Sequence, residues 1–398
     1  MPPMMHMALP VLAALGSAAN AASCTVSGTA TIQSQGDATA LASCSTFSGS
    51  IAIATGTTDD IAISGIKTIT GNLVAAANPN IKKIGASDLV TLGGEMNFDG
   101  LTRLNTVDFP KLKQVDSIVW NALPNLQNIG FTAQVEQAKK IDIQNTQLRS
   151  LKGINIVQAD TLKIANNGYI NEIKMQLGNV SNSLDFSNNN PAVQVELTNL
   201  IWATNLTFRS CGSVLLPSLV KLNGSLGLYQ NTFESFSAAN LTQVGEAFAI
   251  VGNDKLSNMS FPLLSKISDN LQIANNSALQ NVTLPDLKSI GGAFDISGNM
   301  TDVETPSLND VAGAFNLQSS ENMTAVCAPY QALKDKKLIR GKFLCKGKLV
   351  NPDVAGTNPT SQSGSGSGSS SNKTGAASTL SAMNGALGLL AMAAVFML

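Results

Sequence analysis

A pattern of two apolar residues separated by one spacer recurs thirteen times in this 398-residue chain, at intervals of 20 to 23 positions. The first apolar residues of the pairs, here called the anchors, are Ile51, Leu73, Met96, Ile118, Ile141, Leu162, Leu184, Leu206, Leu226, Phe248, Leu271, Phe294 and Phe315. Further apolar residues follow at spacings of two and three, which favours short strands over a helix. A regular repeat of about 22 residues is typical of a solenoid, in which neighbouring coils bury each other's apolar edges. We therefore predict an all-β fold, a parallel β-helix similar to a leucine-rich-repeat solenoid, with about 13 coils and three short strands in each.

Asparagine recurs five positions after the anchor. It stands there in seven repeats, as Asn78, Asn167, Asn189, Asn231, Asn253, Asn276 and Asn299. An Asn side chain both donates and accepts hydrogen bonds and tolerates left-handed backbone, so stacked Asn residues can satisfy the bend amides of adjacent coils. We predict an internal asparagine ladder; a general preference of Asn for turns is the alternative. Cys211 takes the same position in its repeat, and we expect it to be a buried free thiol.

The two ends of the chain carry features of targeting segments. An apolar stretch from Met7 to Leu15, followed by Ala19-Asn20-Ala21, is typical of a secretory signal, which predicts a signal peptide over residues 1–21. At the other end, a Ser/Gly-rich linker over 351–375 precedes small residues, a polar spacer and an apolar tail, the three parts of a GPI-attachment signal over 376–398. Gly375 is the preferred attachment residue, with Asn372 and Ser371 as alternatives. A disordered tail or a tail-anchored helix is the competing interpretation. The GPI signal predicts an extracellular protein attached by a lipid to the outer leaflet of the plasma membrane.

An extracellular location permits disulfides and N-glycans. We pair Cys24 with Cys44 and Cys327 with Cys345, one disulfide for an N-terminal cap over 22–50 and one for a C-terminal cap over 326–350, on either side of the repeats over 51–325. Seven N-x-S/T sequons are predicted to carry sugar, at Asn179, Asn205, Asn223, Asn240, Asn258, Asn281 and Asn322. Three more are expected to be too enclosed or too near the lipid, at Asn275, Asn299 and Asn372.

The single histidine, His6, lies in the predicted signal peptide. Its position argues against Ser-His and Cys-His nucleophilic sites and against zinc sites that contain histidine. We expect no metal and no cofactor. With 25 basic and 26 acidic residues, the chain also shows no electrostatic signature of a nucleic-acid-binding protein.

A glycoside hydrolase that uses two carboxylates passes this test and has to be considered. Asp142, Asp185 and Asp295 occupy spacer positions, so strand alternation turns them outward on one sheet. Asp142 and Asp185 are two coils apart, or about 10 Å, which is at or beyond the separation that inverting glycosidases use. The adjacent pair Asp59-Asp60 lies in an irregular turn. We interpret all of these carboxylates as solvated surface groups.

Three long stretches carry a resemblance to a known family: TIQSQGDATALASCSTFSG, GLTRLNTVDFPKLKQV and NLTFRSCGSVLLPSLVKLNGSLGLYQNTFESFSAANLTQVG. With the predicted signal and anchor, they resemble the fungal GPI-anchored cell-wall organisation glycoproteins, which are distantly similar to the L domains of insulin-type receptors. The resemblance implies a right-handed β-helix and a role in assembling or maintaining the cell wall, with part of the population transferred to wall glucan. It brings no catalytic residues.

The leading hypothesis is a non-enzymatic surface scaffold that presents polar sheets to wall polysaccharide or to surface proteins whose identity the sequence does not give. A glycan-active β-helix enzyme and a receptor-like ligand-binding module are the alternatives.

Overall fold

The computed structural model describes residues 23–352 and shows an almost entirely β-structured chain wound into a parallel solenoid of about 13 turns. One long parallel sheet, here called the anchor sheet, contains 21 strands. Its strands are β1 (Thr25–Ile32), β2 (Thr46–Ile53), β4 (Thr68–Ile69), β5 (Leu73–Ala76), β7 (Thr91–Asp99), β9 (Gln114–Leu123), β10 (Lys140–Thr146), β11 (Gln158–Ala165), β13 (Asn179–Ser187), β15 (Trp202–Arg209), β17 (Lys221–Leu222), β18 (Leu226–Tyr229), β20 (Gln243–Val244), β21 (Phe248–Val251), β23 (Lys266–Ile267), β24 (Leu271–Ala274), β26 (Ser289–Ile290), β27 (Phe294–Gly298), β29 (Asp310–Val311), β30 (Phe315–Ser319) and β31 (Phe343–Lys346).

The predicted register of the anchors is confirmed. Each anchor pairs with the anchor of the next coil, from Ile51 with Leu73 to Phe294 with Phe315. All thirteen are at most 1% exposed, so they form one continuous apolar row inside the solenoid. The spacer residues between them alternate to the opposite, outer face of the sheet.

Shorter strands form four small sheets on another side of the coils. They are β3 (Ile61–Ile63), β6 (Lys83–Ala86) and β8 (Thr106–Asp108); β12 (Glu172–Lys174), β14 (Gln194–Glu196) and β16 (Ser213–Leu215); β19 (Ser235–Ser237) and β22 (Asn258–Ser260); β25 (Asn281–Thr283) and β28 (Asp302–Glu304). Coils such as the one containing β17, β18 and β19 therefore have the three predicted strands. In the middle of the solenoid the first two strands merge into one longer strand, as in β9 and β13.

The asparagine ladder is present, with changes in its membership. Oδ1 of Asn189 accepts hydrogen bonds from the backbone N–H and the side-chain amide of Asn167, at 3.1 and 3.2 Å. The same double contact joins Asn231 to Asn253 and Asn253 to Asn276. Thr146 extends the ladder by donating its backbone N–H and its hydroxyl to Oδ1 of Asn167.

Two of the predicted ladder members stand apart. Asn78 donates to the carbonyls of Ala54 and Thr57 and caps its own bend, and it contacts no other ladder Asn. Asn299 was wrongly assigned to the ladder, because its side chain is half-buried and donates to the carbonyl of Ser277 in an exposed contact. The reason is local: strand β27 continues to Gly298, and Met300 takes the enclosed position instead.

Both ends of the anchor sheet continue into the predicted cap segments. Near the N-terminal end, β1 pairs with β2, and helix α1 (Gln35–Ala40) follows with a capping box formed by Ser34 and Asp37 before a short 3₁₀ turn over Leu41–Ser43. Near the C-terminal end, helix α2 (Thr324–Asp335) leads to β31, which pairs with β30. The disulfides Cys24–Cys44 and Cys327–Cys345 are both present. No helix among residues 23–352 is long and apolar enough to cross a bilayer.

Candidate functional site

A groove of about 340 Å³ lies on the outer face of the anchor sheet, over β13, β15, β18 and β21. We call it the sheet groove. It exists because the outward row of the sheet contains small residues here: Thr207, Gly227 and Ala249 follow Asp185 in register in successive coils. Larger residues, Gln272 and Asp295, continue the row on the far side. The groove is therefore a local depression in an otherwise regular face.

Tyr229 forms part of the groove wall and floor. Its ring folds back along β18 and lies over Gly227. A Cβ atom added at Gly227 would be 2.3 Å from Cε2 of Tyr229, which is too close for any side chain larger than glycine. The Arg209 guanidinium lies over the Tyr229 ring, 4.8 Å from its centroid, and Nη1 donates to Oε1 of Gln230 at 3.0 Å. A glycine at position 227 is thus required for this ring to lie against the sheet.

Asp185 supplies a carboxylate at the edge of the groove. Its Oδ1 is enclosed and accepts no hydrogen bond from any described residue. Burial raises the pKa of this carboxyl above its usual range, although the nearby Ser187 hydroxyl and the Lys163 and Arg209 charges act in the opposite direction. A buried polar atom without a partner is costly, so a ligand hydroxyl or amide that donates to Asp185 would be favoured there.

The interpretation of the three spacer carboxylates as solvated surface groups needs correction. All three are on spacer positions, but Asp295 is only 6% exposed and accepts a hydrogen bond from Asn316 at 2.8 Å, and Asp185 is half-buried. Asp142 and Asp185 face Lys163 from opposite sides, because Lys163 stands between them in register. The sheet therefore brings no pair of these carboxylates together.

The remaining acidic pair, Asp59 and Asp60, accepts hydrogen bonds from the backbone. Asp59 accepts the N–H of Gln35, and Asp60 accepts the N–H groups of Lys82 and Lys83. Within residues 23–352, no cluster of His, Cys, Asp and Glu could hold a metal ion. Cys211 is a free, fully buried cysteine in the ladder position, and burial raises the pKa of its thiol to about 12, which keeps it unreactive.

The groove residues Arg209, Tyr229 and Glu246 were not predicted from the sequence. A groove depends on side-chain sizes in three successive coils, and the single available signal was Gly227 at a spacer position filled elsewhere by larger residues. Of the two tryptophans, Trp120 is fully buried and Trp202 is half-exposed on the outer face.

The predicted sequons lie on several sides of the solenoid. Five of the seven are exposed, at Asn223, Asn240, Asn258, Asn281 and Asn322. Asn179 and Asn205 are half-buried on outward positions of the anchor sheet. Asn275, which we expected to be enclosed, is exposed, and Asn299 is half-buried. Asn372 and the other predicted attachment residues lie outside the described residues, as does the predicted signal peptide.

Comparison with known proteins shows what kind of solenoid this is. A family model described as "Ecm33: GPI-anchored cell wall organization protein" matches residues 4–42. Protein ecm33 of Aspergillus fumigatus is 41% identical over 362 residues, which cover 90% of this chain and 90% of that protein. The chain belongs to the Ecm33 family. Cell wall protein ecm33 of Schizosaccharomyces pombe is 31% identical over 86% of this chain and 81% of that protein. Cell surface GPI-anchored protein ECM33 of Candida albicans is 32% identical over 90% of this chain and 86% of that protein.

Membership of the Ecm33 family agrees with the predicted location outside the cell, at the plasma membrane or in the wall. The family names describe cell wall organization and cell surface proteins. No solved structure matches the chain.

Proposed function

We propose that the protein is a non-enzymatic scaffold of the fungal cell wall, anchored outside the membrane, whose anchor-sheet face binds wall polysaccharide. The observation that carries the proposal is the unbroken register of the thirteen anchors, which builds one long and regular outer face instead of an enclosed active site. The names of the relatives, as cell wall organization and cell surface proteins, support a role in the wall.

The chemistry of the outer face suits neutral polysaccharide. Its spacer row carries amide, hydroxyl and carboxylate groups at Asn97, Asp142, Thr207 and Gln272, with coils about 4.8 Å apart. These groups exchange hydrogen bonds with sugar hydroxyls, and the Tyr229 ring in the sheet groove adds an apolar surface. A chain molecule lying along the solenoid would meet these polar groups in turn, with the small or apolar spacers Val119, Gly227 and Ala249 between them.

Hydrolysis of that polysaccharide is the weaker alternative. Glycoside hydrolysis requires an acid and a second carboxylate placed across the same bond. Asp185 has the raised pKa of a general acid, but its neighbours in register are Lys163 and Thr207, and Asp142 is a further coil away. This arrangement supports binding without turnover.

Attachment to the membrane belongs to the same proposal. We place the lipid at Gly375, with Asn372 and Ser371 as alternatives, after cleavage of residues 376–398. Part of the lipid-anchored population would then be transferred to wall glucan. Phospholipase treatment of intact membranes should release the protein, and a second, phospholipase-resistant fraction should stay in the detergent-extracted wall. Retention of all the protein in membranes after phospholipase treatment would contradict the lipid anchor.

Sedimentation with insoluble β-glucan and chitin particles tests the binding face. An Asn97→Lys/Gln272→Lys variant places two long side chains on the outer face and should reduce the bound fraction several-fold. Ser235→Lys/Ser237→Lys, at exposed positions of β19 on a different side, is the matched control and should bind like the wild type. Equal binding by all three proteins, or no binding by the wild type, would overturn the assignment of this face.

A further inference from the structure

A second groove, of about 650 Å³, crosses the anchor sheet where its longest strands bend. We call it the bulge groove. The pairing of β7 with β9, of β11 with β13 and of β13 with β15 shifts register at this place. Extra residues at such bulges bend a strand and increase its twist, so the two parts of each strand enclose a trough between them. Gln158, Asn179 and Trp202 stand in register along this trough in three successive coils.

The end of the bulge groove near Trp202 has an exposed apolar rim. Val157 is 56% exposed, Ile201 54% and Val220 41%, and they are three of the eight large apolar residues that stand out as exposed among residues 23–352. Backbone hydrogen bonds from Gly178 to Val157, from Ile201 to Gly178 and from Val220 to Ile201 place these four residues in one row, on four successive coils. Gly178 adds no side chain between Val157 and Ile201, and the residue after it is Asn179.

Asn179 is the acceptor of the sequon Asn179-Val180-Ser181, and it lies inside this groove. Within residues 23–352, its side-chain amide makes no hydrogen bond to another residue. Two other sequon asparagines differ: Nδ2 of Asn205 donates to the carbonyl of Asn182, and Nδ2 of Asn240 donates to the carbonyl of Pro217. Asn179 is thus free to carry a substituent, and the substituent would begin within the groove.

We propose that the N-glycan carried by Asn179 lies in the bulge groove, with its first N-acetylglucosamine packed on the Trp202 indole and against Val157 and Ile201. Neighbouring strands of a sheet are about 4.8 Å apart, so Asn179 and Trp202 are direct neighbours on the same face. The apolar C–H face of a pyranose removes indole surface from water, which is favourable. The amide of Gln158 and the carboxylate of Asp160, both lining the groove, can bond with the hydroxyls of the following sugars.

The packed glycan explains the apolar rim. Contiguous exposed apolar surface on a secreted protein promotes association unless something covers it. A glycan attached at Asn179 is always present at the patch, because it is covalent, and it converts the rim into a solvated surface. The inference rests on the proposed glycosylation of Asn179, and the test below separates the two.

Tryptophan fluorescence gives a direct test, because the chain has two tryptophans and Trp120 is 0% exposed. Acrylamide quenching of the folded protein therefore reports on Trp202. The purified glycoprotein should be compared with protein trimmed by endoglycosidase H, which leaves one N-acetylglucosamine, and with Asn179→Gln and Ser181→Ala, which each remove the sequon. Asn258→Gln, at an exposed sequon on a small sheet, is the matched control.

We expect the wild type, the trimmed protein and Asn258→Gln to show the same low quenching constant. Both Asn179→Gln and Ser181→Ala should raise the constant and shift emission to longer wavelength. Glycopeptide mass spectrometry identifies the occupied sites in the same samples. An unoccupied Asn179 would refute the glycosylation itself, whereas an occupied Asn179 whose removal leaves quenching unchanged would refute the packing on Trp202.

Discussion

Cys211 occupies a position that asparagine fills in the coils on either side of it. Its backbone N–H donates to Oδ1 of Asn231, as a ladder Asn would, but its thiol lies 3.9 Å from the carbonyl of Phe186, where the amide of a ladder Asn would donate. In the next coils, Asn231 and Asn253 donate to the corresponding carbonyls of Phe208 and Leu228 at 3.0 Å. The ladder is therefore weakened at one step by a group that donates poorly.

Replacing this residue should strengthen the ladder. Cys211→Asn supplies an amide that can donate to the Phe186 carbonyl and to Asn231, and we expect a gain of about 1 kcal/mol in the free energy of unfolding. Denaturant titration of the variant, beside Cys211→Ala as a control that offers neither bond, measures the difference. A Cys211→Asn protein that is less stable than Cys211→Ala would show that the site does not accept an amide.

The ladder also provides a matched pair of asparagines at the same repeat position. Asn253→Ala removes the acceptor of two Asn231 groups and the donor to the Leu228 carbonyl, all buried, and should cost about 3 kcal/mol. Asn299→Ala removes one exposed contact and should cost less than about 1 kcal/mol. Thermal and chemical denaturation compare them. Equal losses would mean that position in the repeat, and not the ladder contact, determines the effect.

At the scale of the elements, each coil depends on the bend that ends its anchor strand. A residue with positive φ precedes the ladder position in coil after coil, including Asn166 at 58°, Asn188 at 53°, Gln230 at 51° and Asn275 at 56°. This left-handed residue turns the chain so that the next side chain points inward and meets its neighbour in the adjacent coil. In the coil that contains β27, the corresponding residue is Gly298 at 155°, and there the ladder stops.

The C-terminal cap is an element whose effect should remain local. Cys327–Cys345 joins α2 to the edge strand β31, whose Phe343 stacks on Phe315 with centroids 5.1 Å apart. A Cys327→Ala/Cys345→Ala variant should lose about 3 kcal/mol from a cross-link that closes a short loop. Because coils contact only their neighbours, hydrogen exchange should accelerate in β30 and β31 and stay unchanged in β13 and β15. Uniform acceleration along the chain would contradict this nearest-neighbour behaviour.

How much of the molecule the sequence reveals depends on the scale of the pattern. The anchors, the two disulfides and most of the ladder were predictable, because their residues recur at a fixed spacing or lie in near pairs. The sheet groove and the bulge groove were not. They arise from Gly227 beside Ala249 and from register shifts near Ser183, which depend on the neighbouring coils and not on the repeat itself. The buried state of Asp295 likewise depends on its contact with Asn316.

At the scale of the whole molecule, the central claim is that a long sheet face binds wall polysaccharide without altering it. The most direct measurement is the release of soluble oligosaccharides over hours from β-glucan, chitin and mannan, incubated with purified glycosylated protein under the conditions in which it sediments with the particles. We predict bound protein, no product above the protein-free control, and the same result for Asp142→Asn and Asp185→Asn. Steady product release that either substitution abolishes would show that the protein is an enzyme.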